Sequence, residues 1–153
     1  MTGMDDAKTT RDPAVVRVDH RSGDQFAISV RGHHLLVDQP VAIGGEDSAP
    51  TPTELFIASL ASCVAFYARR YLVRHELPTE GLVVEASFAL GSRPARVADV
   101  DVRLQIPDGV PADRRDALLA VASHCTVHNS LSSPPTVSIT LAAPADAREQ
   151  VER

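Results

Sequence analysis

The stretch TPTELFIASLASCVAFYARRYLVRH, residues 51–75, decides how this chain folds. Thr51 places a hydroxyl at the N-cap of a helix, Pro52 occupies the first helical position, and Glu54 supplies the carboxylate of a capping box. The four turns that follow have almost no polar face. A helix that is apolar on all sides must be covered on all sides. The sequence therefore predicts a long, buried, central helix from Leu55 to about His75.

The end of this helix is also marked. Arg69, Arg70 and Arg74 lie in its last turns, where positive charge suits the helix dipole, and Pro78 prevents continuation. The longest stretch without a charge, Leu55 to Ala68, has fourteen residues, whereas a membrane span needs about 20. We therefore expect a helix that packs inside a protein and does not insert into a membrane.

Alternating apolar residues predict strands on both sides of the helix. Before it, three short strands joined by tight turns are centred on Val16 and Val18, on Phe26, Ile28 and Val30, and on Leu35 to Val37. After it come residues 82–88 and a strand with Val100, Val102, Leu104 and Ile106 on one side, and Gly91-Ser92-Arg93-Pro94 joins the two as a hairpin.

The C-terminal third predicts one more helix and one more strand. A helix that starts near Pro111 carries Leu118, Val121, Ala122 and Cys125 on one stripe, so Cys125 faces the core or a site within it. Val137, Ile139 and Leu141 alternate with polar residues as a strand. The order β-β-β-α-β-β-α-β predicts an α+β fold with mainly antiparallel sheet.

Length and composition predict one ordinary globular domain. The chain has 153 residues, 44% of them hydrophobic and 23% charged, with a formal net charge of −5. This charge has the wrong sign for a protein that binds phosphate backbones, so nucleic acid is not an expected partner. We place the single domain at residues 14–143, with a disordered N-terminal tail over 1–13 and a frayed C-terminal tail over 144–153. The polar N-terminus lacks the features of a secretory signal, which predicts a cytoplasmic protein.

Two cysteines, Cys63 and Cys125, are too few for a disulfide scaffold, and a structural disulfide would not persist in a reducing cytosol. Each could be a small buried hydrophobe, as most free cysteines are. Each could equally be a reactive thiol, which would need a nearby cation to lower its pKa. The residues alone leave both interpretations open.

Metal and nucleotide sites have little support. His124, Cys125 and His128 lie close together in sequence, with His33 and His34 elsewhere, but a second half with zinc-ligand spacing is missing, so we expect no metal. The pair His33-His34 follows a turn glycine and is expected in a solvated loop. No glycine-rich phosphate motif occurs, since Gly44-Gly45 alone is too weak a signal.

Two segments together resemble the OsmC/Ohr family, the osmotically inducible and organic hydroperoxide resistance proteins. Residues 52–63, PTELFIASLASC, resemble the segment that carries the first cysteine of that family. Residues 125–131, CTVHNSL, resemble its second-cysteine segment. The resemblance covers nearly all of the domain and implies the family's α+β fold, in which two chains intertwine as a homodimer.

The resemblance also implies an activity, a thiol peroxidase for organic hydroperoxides. Cys63 would attack the O–O bond and become a sulfenic acid, and Cys125 would resolve it as a disulfide. An external dithiol of the lipoyl type would then reduce the disulfide, with no bound cofactor. In the family an arginine on the N-terminal sheet activates the first thiolate, and Arg21 matches that position best, with Arg31 and Arg17 as rivals.

The sequence departs from the family at the acid that holds this arginine. The family has an acid directly after the proline, where this chain has Thr53. Glu54 lies nine residues before Cys63, which is about 900° around a regular helix and so on the opposite face. A capping role for Glu54 is therefore favoured, and Glu46 is a second candidate for a supporting acid. This departure puts efficient peroxidase activity in question more than the fold.

An apolar pocket and two other functions complete the expectations. Phe56, Leu60, Phe66 and Tyr67 would supply the walls for an alkyl or fatty-acyl peroxide, or would be plain core. The first alternative function is a non-catalytic protein of this fold that binds a hydrophobic ligand or senses redox state. A metal-binding protein is the second alternative.

Overall fold

The computed structural model describes residues 14–143. Its strands and helices follow one another along the chain as β1 (Val16–Ser22), β2 (Gln25–Val30), β3 (His33–Val37), α1 (Pro52–Arg74), β4 (Val83–Gly91), β5 (Arg96–Gln105), α2 (Arg115–Ser123) and α3 (Thr126–Ser132). The described part of the chain divides into two compact units, residues 14–59 with 85–103 and residues 60–84 with 104–143. The predicted tails, 1–13 and 144–153, lie outside the described residues.

The first unit contains a three-stranded antiparallel meander in the order β1-β2-β3. Val18 lies opposite Ile28, and Phe26 lies opposite Val37. The meander agrees with the alternation in the sequence, because successive side chains of a strand point to opposite faces. One expectation is wrong: His33 and His34 are exposed, as predicted, but they belong to β3 and not to a loop.

A buried carboxylate organises the loop between β3 and α1. Asp38 is only 2% exposed. It accepts hydrogen bonds from the hydroxyl of Ser48 at 2.7 Å, from the backbone N–H of Ser48 at 3.0 Å, from Gln39 N–H at 2.7 Å and from Glu46 N–H at 3.3 Å. These donors hold the pKa of Asp38 at about 2, with the Ser48 hydroxyl as the largest cause. The loop is thus closed around one negative charge.

Helix α1 begins as the sequence predicts. The backbone N–H of Thr51 donates to Glu54 Oε2 at 2.7 Å, and the N–H of Glu54 donates to Thr51 Oγ1 at 3.1 Å. This reciprocal pair is the capping box, and it satisfies donors that the first turn of a helix leaves open. The capping role expected for Glu54 is therefore confirmed.

One stripe of α1 is buried, and another is not. The buried side chains follow helical spacing: Ile57, Leu60, Val64, Ala68, Tyr71 and Leu72. Phe66 is 53% exposed and Val73 is 51% exposed, so one chain does not cover the helix on all sides as expected. By length and composition α1 could cross a membrane, a property that the core helix of a soluble protein shares. A third of its most apolar window is buried within this chain.

Strands β4 and β5 pair as a two-stranded sheet. The four residues between Gly91 and Arg96 are too few for a crossover to a parallel strand, so the pair is antiparallel. The predicted hairpin is therefore confirmed. Both strands reach closer to the turn than predicted, since β4 ends at Gly91 and β5 starts at Arg96.

The C-terminal third of the described chain differs from the prediction in two respects. The expected single helix is two helices, α2 and α3, because α2 ends at Ser123 and a new helix starts at Thr126. The expected last strand is wrong, since residues 134–143 have no regular secondary structure. Its apolar positions are open to solvent: Val137 is 76% exposed, Ile139 92% and Leu141 102%. A strand requires a neighbouring edge, and within residues 14–143 this segment pairs with none.

A cysteine pair as the candidate active site

The two cysteines meet within the second unit. Cys63 lies in the middle of α1 and is half-buried, whereas Cys125 lies between α2 and α3 and is completely buried. Both are free thiols. The Cys63 side chain lies close enough to Cys125 to raise the pKa of its thiol. The chain thus brings together two oxidisable sulfur atoms from separate helices, one of which is partly accessible.

Cys125 is held by the first turn of α3. It occupies the N-cap position in an extended conformation, and its Sγ accepts a hydrogen bond from the backbone N–H of His128 at 3.4 Å. The side chain therefore takes the place that a serine or aspartate usually has at a helix start. Cys125 thus lies at the break between α2 and α3.

The pKa of the Cys125 thiol is raised above its ordinary value of 9.0. Burial is the largest cause, because it penalises the thiolate. The N–H of His128 opposes this effect, and the neighbouring Cys63 thiol raises the pKa further. At neutral pH Cys125 is therefore a protonated thiol, which is a poor nucleophile and a proton donor.

A hydroxyl pair lies beside the thiol pair. Tyr67, one turn after Cys63 on α1, has its hydroxyl 3.0 Å from Oγ1 of Thr126, which follows Cys125 directly. Two side-chain contacts thus join α1 to the start of α3. Tyr67 was expected as an apolar wall, and its polar contact with Thr126 was not foreseen, because an i to i+4 spacing shows a shared face but not the partner on another helix.

The two histidines near Cys125 stabilise helix ends. Nδ1 of His124 lies 2.7 Å from the carbonyl oxygen of Ala120, and Nδ1 of His128 contacts the carbonyl oxygen of Ser123. A carbonyl only accepts, so Nδ1 of each ring carries the proton and donates it. Among residues 14–143 there is no group of three or more His, Cys, Asp or Glu side chains that could hold a metal ion.

The candidate activating arginines lie in the first unit. Arg21 is an exposed residue of β1, and Arg31 is an exposed turn residue with a φ of 53°. Arg17 forms an ion pair with Asp19 at 2.8 Å, and its hydrogen bonds to the carboxylate hold the pKa of Asp19 below its usual range. Arg21 adds a weaker attraction to the same carboxylate. Arg17 is thus committed to a neighbour on its own strand, and the role of Arg21 stays a prediction.

The two candidate supporting acids differ in their contacts. Glu54 Oε2 accepts from both the N–H and the hydroxyl of Thr51. Glu46 is exposed, and its backbone N–H donates to Asp38. The buried acid of this region is Asp38, which sequence reasoning missed, since a loop aspartate gives no signal of its own burial.

The four predicted wall residues differ in exposure. Leu60 is buried at 6% exposure, Phe56 is 40% exposed and Phe66 is 53% exposed. On α1 all four lie within about 60° of Cys63 around the helix axis. The ring of Phe66 meets that of Tyr67 edge to face, with centroids 5.5 Å apart. An apolar surface on α1 thus extends from the half-buried thiol toward solvent.

Comparison with known proteins gives a family match and several structural matches. The profile of the OsmC-like protein family matches residues 45–140, which is more than half of the chain. No curated protein matches the chain significantly.

The structural matches are distant in sequence and agree in fold. A protein of Psychrobacter arcticus 273-4, described as osmotic stress induced and of the detoxification response, has a TM-score of 0.73 at 20% identity, covering 80% of this chain and 90% of its own. An organic hydroperoxide resistance protein of Elizabethkingia anophelis has a TM-score of 0.64 at 19% identity, with coverages of 82% and 92%. One from Legionella pneumophila has a TM-score of 0.59 at 22% identity, with coverages of 78% and 88%. The expected fold class is therefore confirmed.

Proposed function

Because this chain belongs to the OsmC-like protein family, we propose that it is a cysteine-based peroxidase that reduces organic hydroperoxides. The observation that carries the proposal is the proximity of the Cys63 and Cys125 thiols. Two structural neighbours are named organic hydroperoxide resistance proteins, which supports the substrate class. A pair of thiols in contact can store two electrons and release them to a peroxide without any bound cofactor.

Cys63 is the attacking residue in this mechanism. It is the more accessible thiol of the pair, and it lies on the same side of α1 as the half-exposed Phe56. Its thiolate attacks the distal oxygen of the hydroperoxide, forming an S–O bond as the O–O bond breaks. The alkoxide that leaves takes up one proton and departs as the alcohol. Arg21 is the proposed cation that stabilises the thiolate and the leaving oxygen.

Cys125 resolves the sulfenic acid. Its thiol sulfur forms the S–S bond with Cys63 Sγ, the S–O bond breaks, and the hydroxide leaves with the Cys125 proton as water. The raised pKa keeps Cys125 protonated until this step. Because the two side chains lie close together, resolution requires only a short approach of the two sulfur atoms. An external dithiol of the lipoyl type then reduces the disulfide by thiol–disulfide exchange, a step suited to a reducing cytoplasm.

The same proposal includes a homodimer. Val137, Ile139 and Leu141 keep the strand alternation of the sequence but are almost fully exposed in the single chain. Phe66 and Val73 on α1 are half exposed as well. Large apolar surfaces of this kind mark interaction sites. A second copy of the chain would supply both the missing strand neighbour and the missing cover.

One observation favours a second candidate, a non-catalytic protein that binds a hydrophobic ligand or senses redox state. The acid that would hold an activating arginine is replaced by Thr53, and the adjacent Glu54 is engaged by Thr51. Without a held cation, the Cys63 thiolate is less favoured. The apolar surface of α1 would then hold a ligand that is not a peroxide.

Intact-mass analysis separates the two functions. Reduced protein is mixed with one equivalent of an alkyl hydroperoxide, or of hydrogen peroxide, at neutral pH and short times. A peroxidase loses about two mass units quickly, with Cys63 and Cys125 linked in the digest and the alkyl hydroperoxide preferred. No change over minutes would reject the peroxidase, and a hydrophobic ligand retained in native mass spectrometry would then favour the binding protein.

The two cysteines should differ when each is replaced. Cys63→Ser removes the attacking sulfur, so peroxide consumption should fall to the level without protein. Cys125→Ser keeps the first step but not the second, so one peroxide should be consumed and Cys63 should then overoxidise or form a mixed disulfide. Full activity of Cys63→Ser in a peroxide-consumption assay would exclude this mechanism.

A further inference from the structure

The last turns of α1 and one residue of α2 line a cavity that the thiol chemistry does not use. Its lining residues are Tyr67, Arg70, Tyr71, Arg74, His75 and Val121. The cavity has a volume of about 260 Å³. This is slightly below the roughly 300 Å³ at which pockets for drug-sized ligands begin, so it suits one small group.

Tyr71 leaves a polar atom in this region without a partner. The side chain is only 7% exposed. Among the residues that the structure describes, its hydroxyl is a buried polar atom with no hydrogen-bond partner. A buried hydroxyl that is left unpaired is costly, and most such groups in proteins are paired. Its ring is fixed against His75, with centroids 4.3 Å apart. The hydroxyl is thus a buried donor with no acceptor among residues 14–143.

Two guanidinium groups at the cavity also lack a negative partner. Arg70 and Arg74 lie one turn apart, and neither forms an ion pair with any residue within 14–143. The guanidinium of Arg70 lies over the ring of Phe66, 5.8 Å from its centroid, which restrains the side chain. The C-terminal end of α1 contributes only about half a negative charge, so two full positive charges determine the local potential.

We propose that this cavity is a binding site for an oxyanion, namely the carboxylate or phosphate group of a small molecule. Arg70 and Arg74 supply the charge and the paired N–H donors that such groups favour. A small shift of the side chains that cover the Tyr71 hydroxyl would let it donate a further hydrogen bond to the anion, and Val121 forms an apolar wall. The site lies beside the thiol pair, because Tyr67 lines the cavity and contacts Thr126, the neighbour of Cys125. It does not depend on peroxidase activity.

Calorimetric titration of the reduced full-length protein tests the site without any peroxide. Inorganic phosphate and hexanoate are titrated separately at constant ionic strength, with chloride as the reference anion. We expect saturable binding of one anion per chain for at least one of the two. Binding of phosphate alone identifies a phosphate-bearing ligand, and binding of hexanoate identifies a carboxylate. No saturable binding of either anion overturns the proposal.

Three variants locate the binding. The double variant R70Q/R74Q should abolish it, and Arg69→Gln, a change of the neighbouring exposed arginine outside the cavity, should leave it unchanged. Tyr71→Phe should weaken it by about tenfold or more, because a hydrogen bond to a charged group is lost. Equal affinity in all variants overturns the proposal. So does a change of oligomeric mass in R70Q/R74Q with anion binding retained, since the arginines would then serve a contact between chains.

Discussion

The polar groups that precede α1 and those along its last turns are arranged in opposite ways. In the loop before the helix, Asp38 accepts four hydrogen bonds, and Glu54 closes the capping box with Thr51. Along the last turns, the Tyr71 hydroxyl has no partner, and Arg70 and Arg74 have no ion pair within residues 14–143. Both regions have charged groups next to buried side chains. Only in the first region do other residues of the described chain supply the hydrogen-bond partners of these groups.

This difference separates structural polar groups from binding groups. A carboxylate whose hydrogen bonds are all supplied by the surrounding loop stabilises that loop and has no acceptor site left for a ligand. A donor that is buried and unpaired lowers stability by itself and gains when an acceptor arrives. Substitutions in the two regions should therefore affect stability differently. A variant in the first region loses hydrogen bonds and is destabilised, whereas a variant of Tyr71 loses only an unpaired hydroxyl.

The largest effect is expected for Asp38→Asn. The variant replaces a charged acceptor of four donors by an amide that presents its own N–H groups to them. We expect the Tm to fall by roughly 5 °C or more in thermal unfolding followed by circular dichroism. Asp47→Asn is the matched control, because Asp47 is an exposed carboxylate of the same loop. Equal Tm values for the two variants would show that the Asp38 hydrogen bonds do not stabilise the loop.

Low pH should remove the stability that the ionised Asp38 carboxylate provides. Its pKa is about 2 in the folded chain, below the ordinary value of 3.8. A depressed folded pKa stabilises the protein fully above the unfolded pKa, and this stabilisation is lost as the pH falls from about 4 toward 2. Denaturant unfolding at several pH values should show the gap between wild type and Asp38→Asn narrowing in this range. A constant gap would contradict the low pKa.

A smaller effect is expected for Thr51→Ala at the helix start. The variant removes the hydroxyl that accepts the Glu54 N–H. Loss of an N-cap side chain costs about 1 kcal/mol, which should lower the Tm by roughly 3 °C. Thr53→Ala changes a threonine of the same turn outside the capping box and should have less effect. If thermal unfolding showed a larger fall in Tm for Thr53→Ala than for Thr51→Ala, the stabilising role of the capping box would be contradicted.

The smallest effect on stability is expected for Tyr71→Phe. In the absence of anions the variant deletes only a hydroxyl without a partner among the described residues. The Tm should therefore stay within about a degree of wild type or rise. A clear loss of stability, measured in chloride buffer, would mean that the hydroxyl already has a partner in the assembled protein. The comparison between the two regions would then fail.

The elements that the sequence predicts well are those formed by residues that are close together in the sequence. The capping box is visible because Thr51 and Glu54 lie within one turn, and the meander is visible because β1, β2 and β3 pair with the next strand in sequence. The break between α2 and α3 was missed because a cysteine is an unusual N-cap residue. The strand at residues 137–141 was wrong because its pattern does not say which edge it would join.

The site was predictable only in part for the same reason. Cys63 and Cys125 were paired through a family resemblance, and their contact spans two helices that no local pattern connects. The contact of Tyr67 with Thr126 and the burial of Asp38 depend on where distant segments meet. Residue types alone do not distinguish such groups from exposed ones.

Because Cys125 is the N-cap of α3, its redox state directly affects a backbone hydrogen bond of that helix. The amide proton of His128 is bonded to the sulfur itself. In the disulfide that we propose, this sulfur would be a weaker acceptor, and the first turn of α3 should then exchange its amide hydrogens with solvent more quickly. The hydrogen exchange rate and chemical shift of the His128 backbone N–H should therefore report the oxidation state of the thiol pair, without any probe attached to the protein.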